Sequence, residues 1–216
     1  PYTLEDMADD AVGLLDALRI EKAHVCGMSM GGMIAQTLAV RHPHRLLSLT
    51  SIYSATGNPD LPQPQPEAME VLIKPNPVKR GANIEHVVNT YRVIAGSGHP
   101  FDEAFHRVMA ARDYDRSFCP QGTARQLAAI WAQKDRRRQL AALKLPTLVV
   151  HGDEDPLVPL QGGRDTANSV PGARLVVIKG MGHEIPAKNP YWERILAELL
   201  RHINEVSNSE RSDGKV

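Results

Sequence analysis

The feature that most constrains this chain is a serine set between glycines at the point where an apolar run stops. Residues 23–26 form a short, mainly apolar stretch, and the chain then reads Val25-Cys26-Gly27-Met28-Ser29-Met30-Gly31-Gly32 before taking up helical spacing over 33–40. That succession predicts strand, tight turn and helix, with Ser29 at the apex. A residue held at such a corner sits on strained backbone, and strand and helix can pass closely only where side chains are small. Gly27 and Gly31, two residues either side of the serine, are expected to supply that space. The hydroxyl is thereby pushed clear of the sheet. By itself G-x-S-x-G is a common pattern; the strand before it and the helix after it give it meaning.

The flanking segments extend the pattern. Thr3 reads as an N-cap with Asp6 three residues on, and apolar residues at 4, 7, 8, 11, 12, 15 and 18 carry the spacing of an amphipathic helix. The helix after Ser29 runs to about Arg41 and stops before Pro43, because proline removes a donor and restricts its predecessor. A second strand over 46–53 completes a βαβ unit, which implies parallel pairing. Between Gly57 and Gly81 fall six of the 16 prolines, a density that allows one short helix at about 67–74. From there to Leu143 the spacing is helical, with stripes at Ile84, Val87, Val88, Tyr91 and Ile94, at Phe105, Val108 and Met109, and at Leu127, Ala128, Trp131 and Leu140. So much helix between strands reads as a lid. Strands resume at 146–151 and 173–178, and an amphipathic helix over 191–204 closes the fold. The expected division is a core over 1–57 and 144–205, a helical lid over 58–143 and a disordered polar tail over 206–216.

Ligands of an open parallel sheet sit beyond the carboxyl ends of its strands. Three of those ends carry reactive groups: Ser29, the loop Gly152-Asp153-Glu154-Asp155-Pro156-Leu157-Val158-Pro159, and the loop beginning Lys179-Gly180-Met181-Gly182-His183. A serine hydroxyl is a weak nucleophile near neutral pH, so it needs a base to take its proton, and imidazole titrates in the useful range. The imidazole in turn needs a carboxylate on its other nitrogen. Asp153 and Asp155 both compete for that role; prolines at 156 and 159, which fix the backbone beyond it, favour Asp155. His151 is expected to support the acid loop, His42 and His44 to be solvated, and His86, His99, His106 and His202 to lack carboxylate or cysteine neighbours at metal-ligand spacing. No metal site is expected. The run 134–138 reads as a solvated helix face.

Charge and length exclude other classes. With 25 basic and 25 acidic residues there is no field to attract nucleic acid or an anionic membrane, and no apolar run approaches the roughly 20 residues of a membrane helix. Cys26 and Cys119 suggest no disulfide framework, which favours a reducing, cytoplasmic setting.

Taken together, Gly27-Met28-Ser29-Met30-Gly31-Gly32, the loop from His151-Gly152 through Asp155 to Pro159, and Gly180-Met181-Gly182-His183 resemble the α/β-hydrolase fold family over residues 1 to about 205. The segment Tyr91-Arg92-Val93-Ile94-Ala95-Gly96-Ser97-Gly98-His99-Pro100-Phe101-Asp102-Glu103 is most similar to the aclacinomycin methylesterase type, enzymes that cleave a methyl ester on a polyketide. The resemblance implies hydrolysis of a small-molecule carboxylic ester without a cofactor, through an acyl-enzyme on Ser29, with His183 as base and Asp155 orienting it. Serine in place of aspartate at the turn argues against the haloalkane dehalogenase and epoxide hydrolase branches. Met28, Tyr91, Met109 and Trp131 are expected to line the substrate pocket.

One departure from the family matters. Its members have an eight-stranded sheet, and the helix at 4–18 matches the one before their fifth strand, so this chain is expected to hold the last four strands. The missing portion normally supplies one backbone N–H to the oxyanion; the other would come from Met30. Losing one such donor costs on the order of 10² to 10³ in turnover. A half sheet also exposes an edge, which implies either a missing N-terminal segment, cleaved or on another chain, or a homodimer. The competing readings are a C–C bond hydrolase or cofactor-free perhydrolase with the same triad, and a non-catalytic ligand-binding module.

Overall fold

In the computed structural model, residues 2–184 and 190–212 are described. The element order is α1 (Leu4–Ala17), β1 (Ala23–Met28), α2 (Met30–Arg41), β2 (Leu46–Ile52), α3 (Pro66–Ile73), α4 (Arg80–Ile94), α5 (Glu103–Arg116), α6 (Pro120–Trp131), α7 (Arg137–Leu140), β3 (Thr147–Gly152), α8 (Leu160–Ser169), β4 (Arg174–Ile178) and α9 (Pro190–Ser212). Among the described residues the four strands form one sheet in the order β1-β2-β3-β4, every pair parallel. The nearly all-buried run Leu-Leu-Ser-Leu-Thr-Ser-Ile of β2 and the fully buried β3 are what a parallel sheet covered on both faces requires.

Local chemistry sets the helix that opens the chain. Thr3 Oγ1 accepts the Asp6 N–H at 3.3 Å while Asp6 Oδ2 accepts the Thr3 N–H at 2.8 Å, a reciprocal capping box. Leu4 and Ala8 of α1 are buried, Ala8 in a cluster with Leu38, Leu46, Leu49, Leu140 and Leu145 on one side of the sheet. On the other side Ile52, Leu148, Val150, Val176 and Ile178 pack with Met181 and with Tyr191 and Ile195 of α9. Leu140 and Leu143, at the end of the helical insert, belong to the first of these clusters.

The expected strands and helices are present with ends moved by a residue or two, and four details differ. Of the two glycines that follow Ser29 it is Gly32, not Gly31, that must lack a side chain, since a Cβ there would lie 2.6 Å from Ser54 Cβ, whereas one at Gly31 would meet nothing within 4 Å. Arg136 in the charged run 134–138 is buried, because the turn before α7 folds back onto the end of β2. Its guanidinium donates to Gln36 Oε1 and Ala55 O at 3.3 and 2.9 Å, and burial pushes its pKa down to about 10. On α5, Val108 is exposed while His106 and Ala110 are buried, so the inward stripe is rotated from the one predicted. Finally, α9 continues to Ser212 where a disordered tail is expected from 206; residues 213–216 lie outside the described set.

Candidate active site

The corner at Ser29 is built as the sequence demands. Ser29 takes φ 52° and ψ −121°, a left-handed conformation that a side chain rarely adopts and that costs on the order of 1–3 kcal/mol. Neighbouring bonds hold it there. Its N–H donates to Ile52 O at 3.0 Å, its carbonyl accepts from Gly32 and Met33 N–H at 2.9 and 3.2 Å, and Ser54 Oγ donates to the same carbonyl at 2.8 Å. A Cβ on Gly27 would lie 2.0 Å from Gly31 O, so this glycine is fixed by the strand-to-helix crossing itself. As first residue of α2, Met30 has an N–H with no carbonyl of its own helix to bond.

Three strand ends converge on that serine. His183 Nε2 lies 2.9 Å from Ser29 Oγ, and His183 Nδ1 lies 2.7 Å from Asp155 Oδ2. Asp155 is itself oriented: its Oδ1 accepts the N–H groups of Leu157 and Val158 at 2.9 and 2.8 Å, leaving Oδ2 for the imidazole. Both Asp155 and His183 are buried. The Tyr53 ring packs on the His183 ring at 4.4 Å, and burial raises the Tyr53 phenol well above its ordinary range, so it stays neutral.

The competing carboxylate has another task. Asp153 Oδ1 accepts the Gly180 N–H at 2.6 Å, bracing the loop that carries His183 from below. His151 is buried, donates through Nε2 to Val158 O at 2.7 Å, and sits 3.7 Å from Asp155 Oδ2; desolvation holds its pKa below the usual value. It supports the acid loop, as expected. His42 is not simply solvated, since its Nε2 lies 2.7 Å from Asp9 Oδ1.

A cavity of about 520 Å³ opens at Ser29 and Met30. Its walls are the proline-rich stretch after β2, one face of α6, and Leu157 and Val158 of the acid loop, and none of the lining residues carries a formal charge. Of the four pocket residues expected from sequence, Trp131 lines this cavity. Tyr91 instead lines a second cavity of about 330 Å³ between α4, α5 and α6, and stacks on His106. Met28 and Met109 line neither: Met28, last residue of β1, is exposed with its sulfur accepting the Tyr53 O–H at 3.4 Å, and Met109 lies half-buried on α5. Sequence reasoning missed Leu61, Met69, Leu127 and Ile130 as walls; the prolines at 59, 62 and 64 were the available signal that this stretch covers something.

It also missed a buried cluster. His99 and His106, expected to lack carboxylate neighbours at metal-ligand spacing, both face Glu184, at 3.2 and 2.5 Å. Among the described residues, no group of three or more His, Cys, Asp or Glu side chains is arranged to hold a metal ion, and no helix is long and apolar enough to cross a membrane.

Comparison with known proteins agrees with this fold. Residues 1–190 match the family model described as the alpha/beta hydrolase fold. The chain is 30% identical over 207 residues to rhodomycin D methylesterase DauP of Streptomyces sp. (strain C5), an alignment covering 86% of this chain and 69% of that protein. It is 33% identical over 194 residues to a 2-hydroxymuconate semialdehyde hydrolase of Pseudomonas sp. (strain CF600), covering 84% of this chain and 62% of the relative. Among solved structures, a thermophilic esterase from Thermogutta terrifontis superposes with a TM-score of 0.69 at 28% identity, over 94% of this chain and 73% of the esterase.

Proposed function

The chain belongs to the α/β-hydrolase fold family, and from that premise we propose that it hydrolyses a carboxylic ester, a methyl ester among the candidates, through an acyl-enzyme on Ser29. One observation carries the reading: a single imidazole bridges Asp155 and Ser29 Oγ at 2.7 and 2.9 Å. In the first half-reaction Ser29 Oγ attacks the ester carbonyl while His183 Nε2 takes the hydroxyl proton. Asp155 holds the imidazole with Nδ1–H toward itself and offsets the positive charge that develops. The Met30 N–H donates to the oxyanion. Collapse breaks the acyl C–O bond, and the alcohol leaves with the proton from His183. Water then loses a proton to His183, attacks the acyl carbonyl and releases the acid, restoring the serine. The helices over 58–143 act as the lid that closes the cavity above Ser29.

The relatives include a hydrolase whose substrate, 2-hydroxymuconate semialdehyde, bears a carboxylate. Hydrolysis of a carbon–carbon bond with the same three side chains is the second reading. The uncharged lining of the cavity favours the ester, because a buried carboxylate needs a cation or several donors to offset its desolvation. Turnover of p-nitrophenyl acetate and of neutral methyl esters by the wild-type protein, with a loss of at least about 10³-fold in Ser29→Ala, tests the proposal.

A further inference from the structure

The residue after His183 carries a carboxylate that this chemistry leaves unused. Glu184 is 1% exposed, and both its oxygens face imidazoles of the insert: Oε1 is 3.2 Å from His99 Nε2 and Oε2 is 2.5 Å from His106 Nε2. His106 is clamped between the rings of Tyr91 and Phe101, at 4.6 and 4.8 Å and close to parallel, so it cannot swing away. His99 donates through Nδ1 to Pro100 O at 2.7 Å, which turns its other nitrogen to the carboxylate. A carboxylate buried without such partners costs several kcal/mol. The segment around α5 therefore supplies polar partners to a buried carboxyl group that belongs to the loop of the base.

Backbone bonds close the same join. The His183 N–H donates to Ile94 O at 2.7 Å and the Gly98 N–H to Gly180 O at 3.0 Å. Ser97 donates to Glu154 through both N–H and Oγ, at 2.7 and 2.9 Å. A Cβ on Gly96 would lie 2.1 Å from Gly180 O, and one on Gly182 2.3 Å from Gly96 N, so the two segments lie flat on each other without room for a side chain. The loop carrying His183 is thus gripped from two sides: by Asp153 from the sheet, and by residues 94–106 from the insert.

We propose that Glu184 is a positioning residue for His183: paired with His99 and His106, it fixes the base loop to the inserted helices and holds the imidazole in line between Asp155 and Ser29. The assignment rests on His183 being the base. Its carboxylate is engaged by the two imidazoles, so its influence on Ser29 runs through His183. A displacement of the order of 1 Å in such a relay costs about 10²-fold in rate.

Glu184→Ala tests this. Its kcat on p-nitrophenyl acetate falls about 10- to 100-fold while KM stays within about twofold, and the rate of fluorophosphonate labelling at Ser29 falls with it. Glu184→Gln, which keeps the shape and leaves a polar group facing His99 and His106, recovers part of the loss. His106→Gln added to Glu184→Ala costs little more than Glu184→Ala alone, because the contact between the two side chains is already gone. Independently of turnover, the low-field proton resonance of His183 Nδ1–H in its bond to Asp155 shifts or broadens in Glu184→Ala under conditions where circular dichroism is unchanged. That resonance reports ring placement even in a protein that hydrolyses nothing, so failure of the ester reading and failure of this assignment are distinct results. His99→Gln, a change in a connecting segment, carries the same readouts if Glu184→Ala does not fold. Wild-type kcat, labelling rate and His183 resonance in the folded variant overturn the positioning role.

Discussion

Gly32 lies so close to Ser54 that a Cβ on the glycine would stand 2.6 Å from the serine Cβ and 2.8 Å from its Oγ. Ser54 Oγ also donates to the carbonyl of Ser29, so the contact packs α2 against the end of β2 and holds the strained backbone at Ser29 in one stroke. Gly32→Ala is expected to destabilise the chain by about 1–3 kcal/mol, read as a lower midpoint in urea at unchanged slope. Gly27→Ala meets backbone rather than a side chain and costs more, whereas Gly31→Ala, with open space around it, costs least.

The two acidic candidates of the loop after β3 separate by their contacts, Asp155 with the His183 ring and Asp153 with the Gly180 N–H. Asp155→Asn leaves an oxygen for the Leu157 and Val158 N–H groups but can no longer hold the imidazole in the required tautomer, so kcat should fall by about 10⁴ with little change in unfolding. Asp153→Asn keeps an acceptor for the Gly180 N–H and should leave kcat within about tenfold of wild type. Steady-state rates of the two purified variants decide the matter.

His151 gives stability a pH dependence of known sign. In the folded chain burial keeps it neutral and lowers its pKa from the ordinary 6.5. The unfolded chain recovers that ordinary value, so below it the unfolded state binds the extra proton. Stability is full above about pH 6.5 and declines as the pH falls toward the lowered folded value, by about 2–4 °C of midpoint for each kcal/mol in a chain of this size. Melting curves between pH 7.5 and about 5 should show this slope, and a shallower one in His151→Gln.

Substrate charge is the clearest expectation from the cavity. With no formal charge among its lining residues, it should favour neutral apolar methyl esters over analogues bearing a free carboxylate by at least about tenfold in kcat/KM. Trp131→Ala, at the cavity rim, should raise KM for bulky esters more than for acetate esters.

What sequence made legible were groups whose chemistry and local backbone agree. Ser29, Asp155 and His183 each occupy a loop after a strand, punctuated by glycine or proline, and the four parallel strands emerge at nearly the expected residues. What it hid depends on partners far along the chain. Arg136 reads as one of a solvated charged run because its acceptors, Gln36 and Ala55, belong to other elements. Likewise His99, His106 and Glu184 are brought together only by the folding of the insert onto the base loop. Helical spacing also cannot tell that α5 contributes nothing to the cavity at Ser29, whose walls come from Met69 of α3 and Leu127 of α6 rather than from Met109.

Ester hydrolysis by this chain requires Ser29 to be an activated nucleophile. Its most direct test is labelling with a fluorophosphonate probe, with the modified residue located by peptide mass spectrometry in the wild type and in His183→Ala. The predicted result is a single adduct on Ser29, formed rapidly in the wild type and slowed by at least about 10³-fold in the variant. An unlabelled Ser29 in folded protein, or equal labelling with and without the imidazole, would contradict it.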